Sequence, residues 1–113
     1  MKSPPLDLAA LDKRTLGNAK LRAELLRLFR EHALTTLRAI DAAVARRDAA
    51  AVTAGAHQLK GSAATISASA LSDAARRLEE AATTDDWPAA AAELTGIDHE
   101  LSRCVGQIDR ILS

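Results

Sequence analysis

The sequence predicts an all-α chain folded as an antiparallel up-down four-helix bundle, with a short additional helix at its N-terminus. Three observations predict it. Alanine and leucine dominate, β-branched residues are few, and Phe29 and Trp87 are the only aromatic residues, a composition that favours closely packed helices over a sheet. Four long stretches each carry one stripe of apolar residues at helical spacing. The breaks between them are short and hold helix-capping residues, an arrangement that makes neighbouring helices antiparallel. With 113 residues the chain can build one core but not two, so residues 1–113 are expected to form a single domain.

The elements follow in order. Ser3-Pro4-Pro5 signals a start, and Leu6, Leu8 and Leu11 suggest a short opening helix. Thr15-Leu16-Gly17-Asn18 breaks it, and Asn18 can cap a long second helix from about Ala19 to Arg47. Leu26, Phe29, Ala33, Leu37, Ile40 and Val44 make the main stripe of that helix. Leu21, Leu25 and Leu28 broaden the stripe at its start, which predicts that this end packs the opening helix as well as the bundle. Asp48 is a natural cap for the third helix, from about Ala49 to Ile66. Ser67-Ala68-Ser69 reads as a capping-type break in which the Ser67 hydroxyl can cap the helix that follows. That helix, from about Ala70 to Thr83, buries Leu71, Ala74, Ala75 and Leu78. Thr84-Asp85-Asp86 ends it and begins the last helix, where Pro88 is tolerated in the first turn. Leu94, Ile97, Leu101, Val105, Ile108 and Leu112 carry the last stripe to the C-terminus. Cys104, in phase with Leu101 and Ile108, reads as a small hydrophobe at the core, and as the single cysteine it excludes an internal disulfide.

The third helix carries the chemistry. Val52, Ala56, Leu59, Ala63 and Ile66 form its apolar stripe, while His57, Lys60, Gly61 and Ala64 recur at i, i+3, i+4 and i+7 on nearly the opposite side. His57 therefore faces outward from a helix held by a separate core face. Ala50, Thr53, Ala54, Gly61 and Ala64 around it are small, so a second protein can approach the imidazole closely. A neutral imidazole is a good nucleophile near pH 7, and a lysine one turn away offers a compact positive charge to an oxyanion or a phosphoryl group. A helical glycine costs up to ~1 kcal/mol relative to alanine, and close approach of another molecule is the candidate reason for Gly61.

These residues carry a resemblance. His57-Gln58-Leu59-Lys60-Gly61-Ser62-Ala63 resembles the His-x-Leu-Lys-Gly-Ser-Ala signature of histidine-containing phosphotransfer (HPt) domains. Leu71 and Leu78-Glu79 are similar to the family's leucine and Leu-Glu positions on the following helix, and the likeness spans nearly the whole chain in length and helix order. One position departs: ten residues after the histidine, where the family often has glycine, stands Ser67. The resemblance implies that His57 accepts a phosphoryl group from an aspartyl phosphate on a response-regulator receiver domain, free or within a hybrid histidine kinase, and passes it to the aspartate of another receiver. Lys60 would steady the phosphoryl oxygens, Gly61 would admit the partner, and Thr53, Ala54, Gln58 and Ala64 would line the partner face. Magnesium would belong to the receiver's acidic pocket, so no cofactor or metal is expected in this chain.

Other chemistry finds no support in the residues. Fifteen basic and fifteen acidic side chains cancel, so no strong field draws in nucleic acid or an anionic membrane, and without aromatic residues to spare there is no base-stacking platform. Arg46-Arg47 and Arg76-Arg77 read as solvated helix surface. No Glu-x-x-His occurs, the spacing by which bundles hold metal pairs; His32 reads as a boundary residue and His99 as surface. There is no glycine-rich phosphate loop, and self-phosphorylation from ATP is not expected. The longest uncharged runs fall short of the ~18 apolar residues of a membrane span, and Met1-Lys2-Ser3-Pro4-Pro5 lacks the apolar core of a secretory signal. A monomeric, cytoplasmic phosphocarrier is the expectation. A bundle acting as an unphosphorylated adaptor or inhibitor is the alternative, and a dimerisation element of a larger kinase complex is a third reading.

Overall fold

In the computed structural model, which describes residues 3–113, the chain forms α1 (Leu8–Arg14), α2 (Ala19–Ala45), α3 (Ala49–Thr65), α4 (Ser69–Thr83) and α5 (Trp87–Leu112), with no strand among the described residues. Met1 and Lys2, the start of the stretch read as lacking a signal core, lie outside the described residues. Helices α2 to α5 are the four-helix bundle: α2 packs on α3 and α5, and α4 packs on the same two from the other side. Four of the five starts are capped as local chemistry dictates. Asp7, Asn18, Asp48 and Asp86 each accept a hydrogen bond from the backbone N–H three residues on.

The core takes Leu26 and Ile40 from α2, Val52 and Leu59 from α3, Leu71 and Leu78 from α4, and Ile97, Leu101 and Ile108 from α5, all with 0 or 1 % exposure. Each such side chain contributes roughly 1.5–3 kcal/mol on burial. Alanine fills the space between them, including Ala56, Ala63, Ala75 and Ala90, and lets the helices lie close. The α2–α3 approach is the clearest case, since a Cβ on Gly55 would stand only 2.7 Å from Ile40 Cγ1. Cys104 is fully buried, and burial pushes its thiol up to about 11.

Residues 3–7 and α1 close the end of the bundle where α2 and α4 start and α3 and α5 finish. Leu6 and Leu11 are buried there. The Leu6 N–H donates to Oε1 of the buried Gln107 at 3.0 Å. The Asp7 N–H donates to the Ser67 carbonyl at 3.0 Å, and Arg103 donates to the Ser3 carbonyl. Asp12 pairs with Arg22 at 2.6 Å.

Four expectations are corrected or refined by this packing. The broad start of α2 is not covered by α1: Leu21 and Leu28 are exposed, because Leu11 of α1 and Leu6 in the segment before it are buried at the bundle end. The buried face of α5 runs through Ala90, Ile97, Leu101, Cys104, Gln107 and Ile108, with Leu94, Val105 and Leu112 only partly buried. Likewise Leu37 and Val44 sit at the margin of the α2 stripe while Ala43 is buried. Ser67 does not cap α4. The N-cap position is Ala68, with no side-chain cap bond, and the Ser67 hydroxyl is buried without a partner.

Ser67 instead closes α3. Its φ of 61° is left-handed, its N–H donates to the Ala64 carbonyl at 3.1 Å, and the Ala68 N–H donates to the Ala63 carbonyl at 2.9 Å. This paired pattern is a Schellman turn. Arg47 after α2 and Asp85 after α4 close their helices in the same way, at φ 54° and 55°. Those turns end α2 at Ala45 and α3 at Thr65, one or two residues short of the sequence expectation.

Candidate functional site

His57 lies in the middle of α3, and its side chain is 69 % exposed. The helix needs none of it, because Val52, Ala56, Leu59 and Ala63 hold α3 in the core from another side. Leu78 is buried from the facing helix α4, and its neighbour Glu79 is thereby turned to the α3–α4 seam. Glu79 makes two contacts across that seam. Its Oε2 stands 3.1 Å from His57 Nδ1 and its Oε1 accepts from Lys60 Nζ at 2.9 Å. The register is pinned nearby by Ser72, whose hydroxyl donates to the Lys60 carbonyl at 3.1 Å. Farther along α4, the Thr83 hydroxyl donates to the Glu79 carbonyl at 2.8 Å.

The electrostatics decide the imidazole tautomer. The hydrogen bond from Lys60, with its charge, holds the Glu79 carboxyl below its ordinary range, against a smaller opposing effect of burial. An ionised carboxylate only accepts, so Nδ1 must carry the ring proton. In a neutral imidazole Nε2 then holds the lone pair. The arrangement is a nucleophile, Nε2, on an exposed ring that a neighbouring anion holds in one tautomer.

A shallow groove runs from His57 towards the N-terminus of α3. Ala49, Ala50, Thr53 and Ala54 wall it on one side, and Glu79, Ala82, Thr83 and Asp85 on the other. Of the small residues expected around the ring, Ala50, Thr53 and Ala54 line this groove. Gly61 is exposed one turn beyond His57, and a Cβ there would meet nothing within 4 Å. Two of the expected partner-face residues, Thr53 and Ala54, line the groove. Gln58 is exposed outside it. Ala64, also exposed, borders a separate depression with Asp7, Ala10, Arg14, Ser67, Ser69, Ser72 and Asp73. Glu79 enters as a site residue that helical spacing within α3 does not reveal. It was visible only as part of the Leu78-Glu79 pair on the following helix.

His32 is exposed and borders an apolar hollow with Leu25, Leu28, Phe29 and Ile66, away from His57. His99 is exposed on α5. Among the described residues no group of His, Cys, Asp and Glu is placed to hold a metal ion, and no helix is long and apolar enough to cross a membrane.

Comparison with known proteins bears on the family and the fold. The Hpt domain family profile matches residues 24–110. The structure superposes on histidine-containing phosphotransfer protein B from Pseudomonas aeruginosa PAO1 with a TM-score of 0.89 at 25% sequence identity, covering 96% of this chain and 95% of that one. The fold is also that of the HPT domain of a sensor hybrid histidine kinase from Shewanella, with a TM-score of 0.83 at 16% identity, covering 96% of this chain and 93% of that one. No protein of curated function matches.

Proposed function

Because the chain belongs to the Hpt domain family, we propose that it works in histidine phosphotransfer as a relay between receiver domains, with His57 as the residue that carries the phosphoryl group. The observation that carries this reading is the held imidazole: Nδ1 against the ionised Glu79 at 3.1 Å, on a side chain 69 % exposed. The Nε2 lone pair attacks the phosphorus of an aspartyl phosphate in line. The P–O bond to the receiver carboxylate breaks and its electrons leave with that carboxylate. Onward transfer is the same displacement with a second receiver aspartate as nucleophile. Beyond the N–P bond formed at His57, the chain contributes position and charge. Lys60 places a cation one turn from the ring, and open space over Gly61 admits the rim of the partner's active site. Thr53 and Ala54 form the near wall of the contact, with Gln58 and Ala64 at its margins.

On this reading the protein is a cytoplasmic phosphocarrier, monomeric and without kinase activity towards ATP. The test is phosphotransfer profiling of the purified chain against the receiver domains of the source organism, with His57→Gln alongside. Wild type should take label from one or a few phosphorylated receivers and return it, and His57→Gln should take none. A His57→Gln variant labelled at the wild-type rate would overturn the assignment, and a wild type that no receiver labels would favour the adaptor reading. Incubation with labelled ATP and magnesium alone should leave the chain unlabelled.

A further inference from the structure

The groove beside His57 holds one hydroxyl that the bundle leaves unused. The ring overhangs the residues before it in α3: Ala49, Ala50, Thr53 and Ala54 wall the groove, and among the described residues none of α3 after His57 does. Helical side chains lean this way, towards the N-terminus and over the preceding turn. Thr53, one turn back on the same face, is half-buried there. We propose that Thr53 is a further catalytic residue of the relay, its hydroxyl donating a hydrogen bond to a phosphoryl oxygen once Nε2 of His57 carries phosphate. The proposal rests on the phosphocarrier reading and deepens it.

A threonine inside a helix has a local use for its hydroxyl, which is to bond the carbonyl one turn back. Thr35, Thr65, Thr83 and Thr95 do so, donating to Glu31, Gly61, Glu79 and Ala91. Thr36 and Thr53 do not, and Thr36 lies on α2 in the apolar hollow beside His32. The Thr53 hydroxyl has no hydrogen-bond partner among the described residues. The other residues of the groove offer no such donor. Ala49, Ala50, Ala54 and Ala82 bring methyl groups, and Glu79 and Asp85 bring acceptors. The Thr83 O–H is taken by the Glu79 carbonyl at 2.8 Å. Alanine would also suit the helix better at position 53, as it does at Ala49, Ala50, Ala51 and Ala54 around it.

The contact adds no bond-making of its own. The Nε2 lone pair forms the N–P bond, the bond from phosphorus to the receiver's carboxylate oxygen breaks with its electrons, and the Thr53 hydroxyl keeps its proton throughout. It is a donor held in place for the charge on the phosphoryl oxygens. Lys60, one turn after the ring, and Thr53, one turn before it, flank the group along the helix. The Lys60 ammonium rides on a flexible four-carbon stem, with a third of its side chain in solvent. The Thr53 hydroxyl turns about one bond that β-branching restricts. The lysine supplies charge and the threonine supplies direction, holding the phosphoryl group over the groove. Because the bond exists only when phosphate is present, it favours the phosphorylated chain over the free one.

The experiment uses the full chain, phosphorylated by a phosphorylated receiver and, separately, by phosphoramidate, a donor that needs no docking. Thr53→Val keeps the branched shape without the hydroxyl, Thr53→Ser keeps the hydroxyl, and urea unfolding checks that both variants fold. Phosphorus NMR follows the second ionisation of the phosphoryl group on His57. A hydrogen bond to the dianion favours that form, so in Thr53→Val the ionisation should move up by about half a pH unit, a threefold change in proton affinity. Thr53→Ser should stay at the wild-type value. Lys60, Glu79 and Asp85, the charged groups facing the ring, are the same in all three chains. With the receiver as donor, the equilibrium constant for phosphorylation should fall about tenfold in Thr53→Val, the worth of a hydrogen bond to a charged group, and recover in Thr53→Ser. An unchanged phosphorus titration in Thr53→Val, with transfer slowed only from the receiver, would place the residue against the partner alone. That result would overturn the proposal and leave the relay intact. Equal changes in Thr53→Val and Thr53→Ser would also overturn it, since shape and not the hydroxyl would be responsible. Failure of wild type to take phosphate from either donor would overturn the phosphocarrier reading and the proposal with it.

Discussion

Gly61→Ala should make the chain more stable and a poorer phosphocarrier, with the size of the first effect set by local structure. Glycine inside a helix is less favourable than alanine by about 0.8–1.0 kcal/mol. Nothing at position 61 offsets that gain, because an added Cβ meets no atom within 4 Å and the residue is exposed. The whole propensity difference should therefore appear, as about 1 kcal/mol in urea unfolding followed by far-UV circular dichroism, or roughly 4 °C in Tm for a chain of this length. Transfer should move the other way, since the space above Gly61 is the space a receiver must enter. Gly61→Leu enlarges the obstruction. If displacing the partner costs what overpacking a core costs, about 1–3 kcal/mol, single-turnover transfer falls by roughly 5- to 150-fold. An alanine variant less stable than wild type would refute the structural half of the reasoning. A leucine variant transferring at the wild-type rate would refute the functional half.

Three further outcomes follow from particular contacts. Gly55→Ala gains the same helix propensity but sets a Cβ 2.7 Å from Ile40 Cγ1, so it should lose about 1 kcal/mol net in urea unfolding; a gain would mean that α2 and α3 separate at little cost. Ser67→Gly relieves the left-handed backbone and removes the unpartnered hydroxyl, whereas Ser67→Ala removes only the hydroxyl. The glycine variant should be the more stable of the two by about 1 kcal/mol, with transfer rates near wild type in both, and equal stabilities would remove strain from the account of that turn. Lys60→Met should slow transfer and cost about 0.5 kcal/mol at neutral pH, the range of a partly exposed pair. Because Glu79 is held below its ordinary value of 4.5, the pair's contribution is full above that pH and lost as pH falls through the lower folded value. The stability gap between Lys60→Met and wild type should therefore close under acid, and a gap unchanged at pH 3 would contradict it.

What could be read from the chain, and what could not, divides along the range of the interactions. The caps at Asn18 and Asp48 act within three residues of themselves, and the outward placement of His57 follows from the stripe on its own helix. Both are local and were legible. The Schellman turns at Arg47, Ser67 and Asp85 carry no glycine, so the usual signal for left-handed backbone is missing. Their geometry is imposed by helices that must reverse within a few residues to pack. Gln107 in the core answers a backbone N–H 101 positions away, and no periodicity within α5 announces that. Glu79 is the functional instance of the same limit. Its two bonds depend on the antiparallel register of α3 and α4, which Ser72 pins and which only the folded bundle supplies.

The central claim is that His57 carries phosphate on Nε2. The direct measurement is phosphorus–nitrogen coupling in the chain labelled with nitrogen-15 at histidine and phosphorylated by a receiver. The account predicts one phosphorus signal, acid-labile and alkali-stable, coupled to Nε2 of His57 while Nδ1 remains beside Glu79. Phosphorus coupled to Nδ1, or carried by His32, His99 or a residue other than histidine, would contradict it.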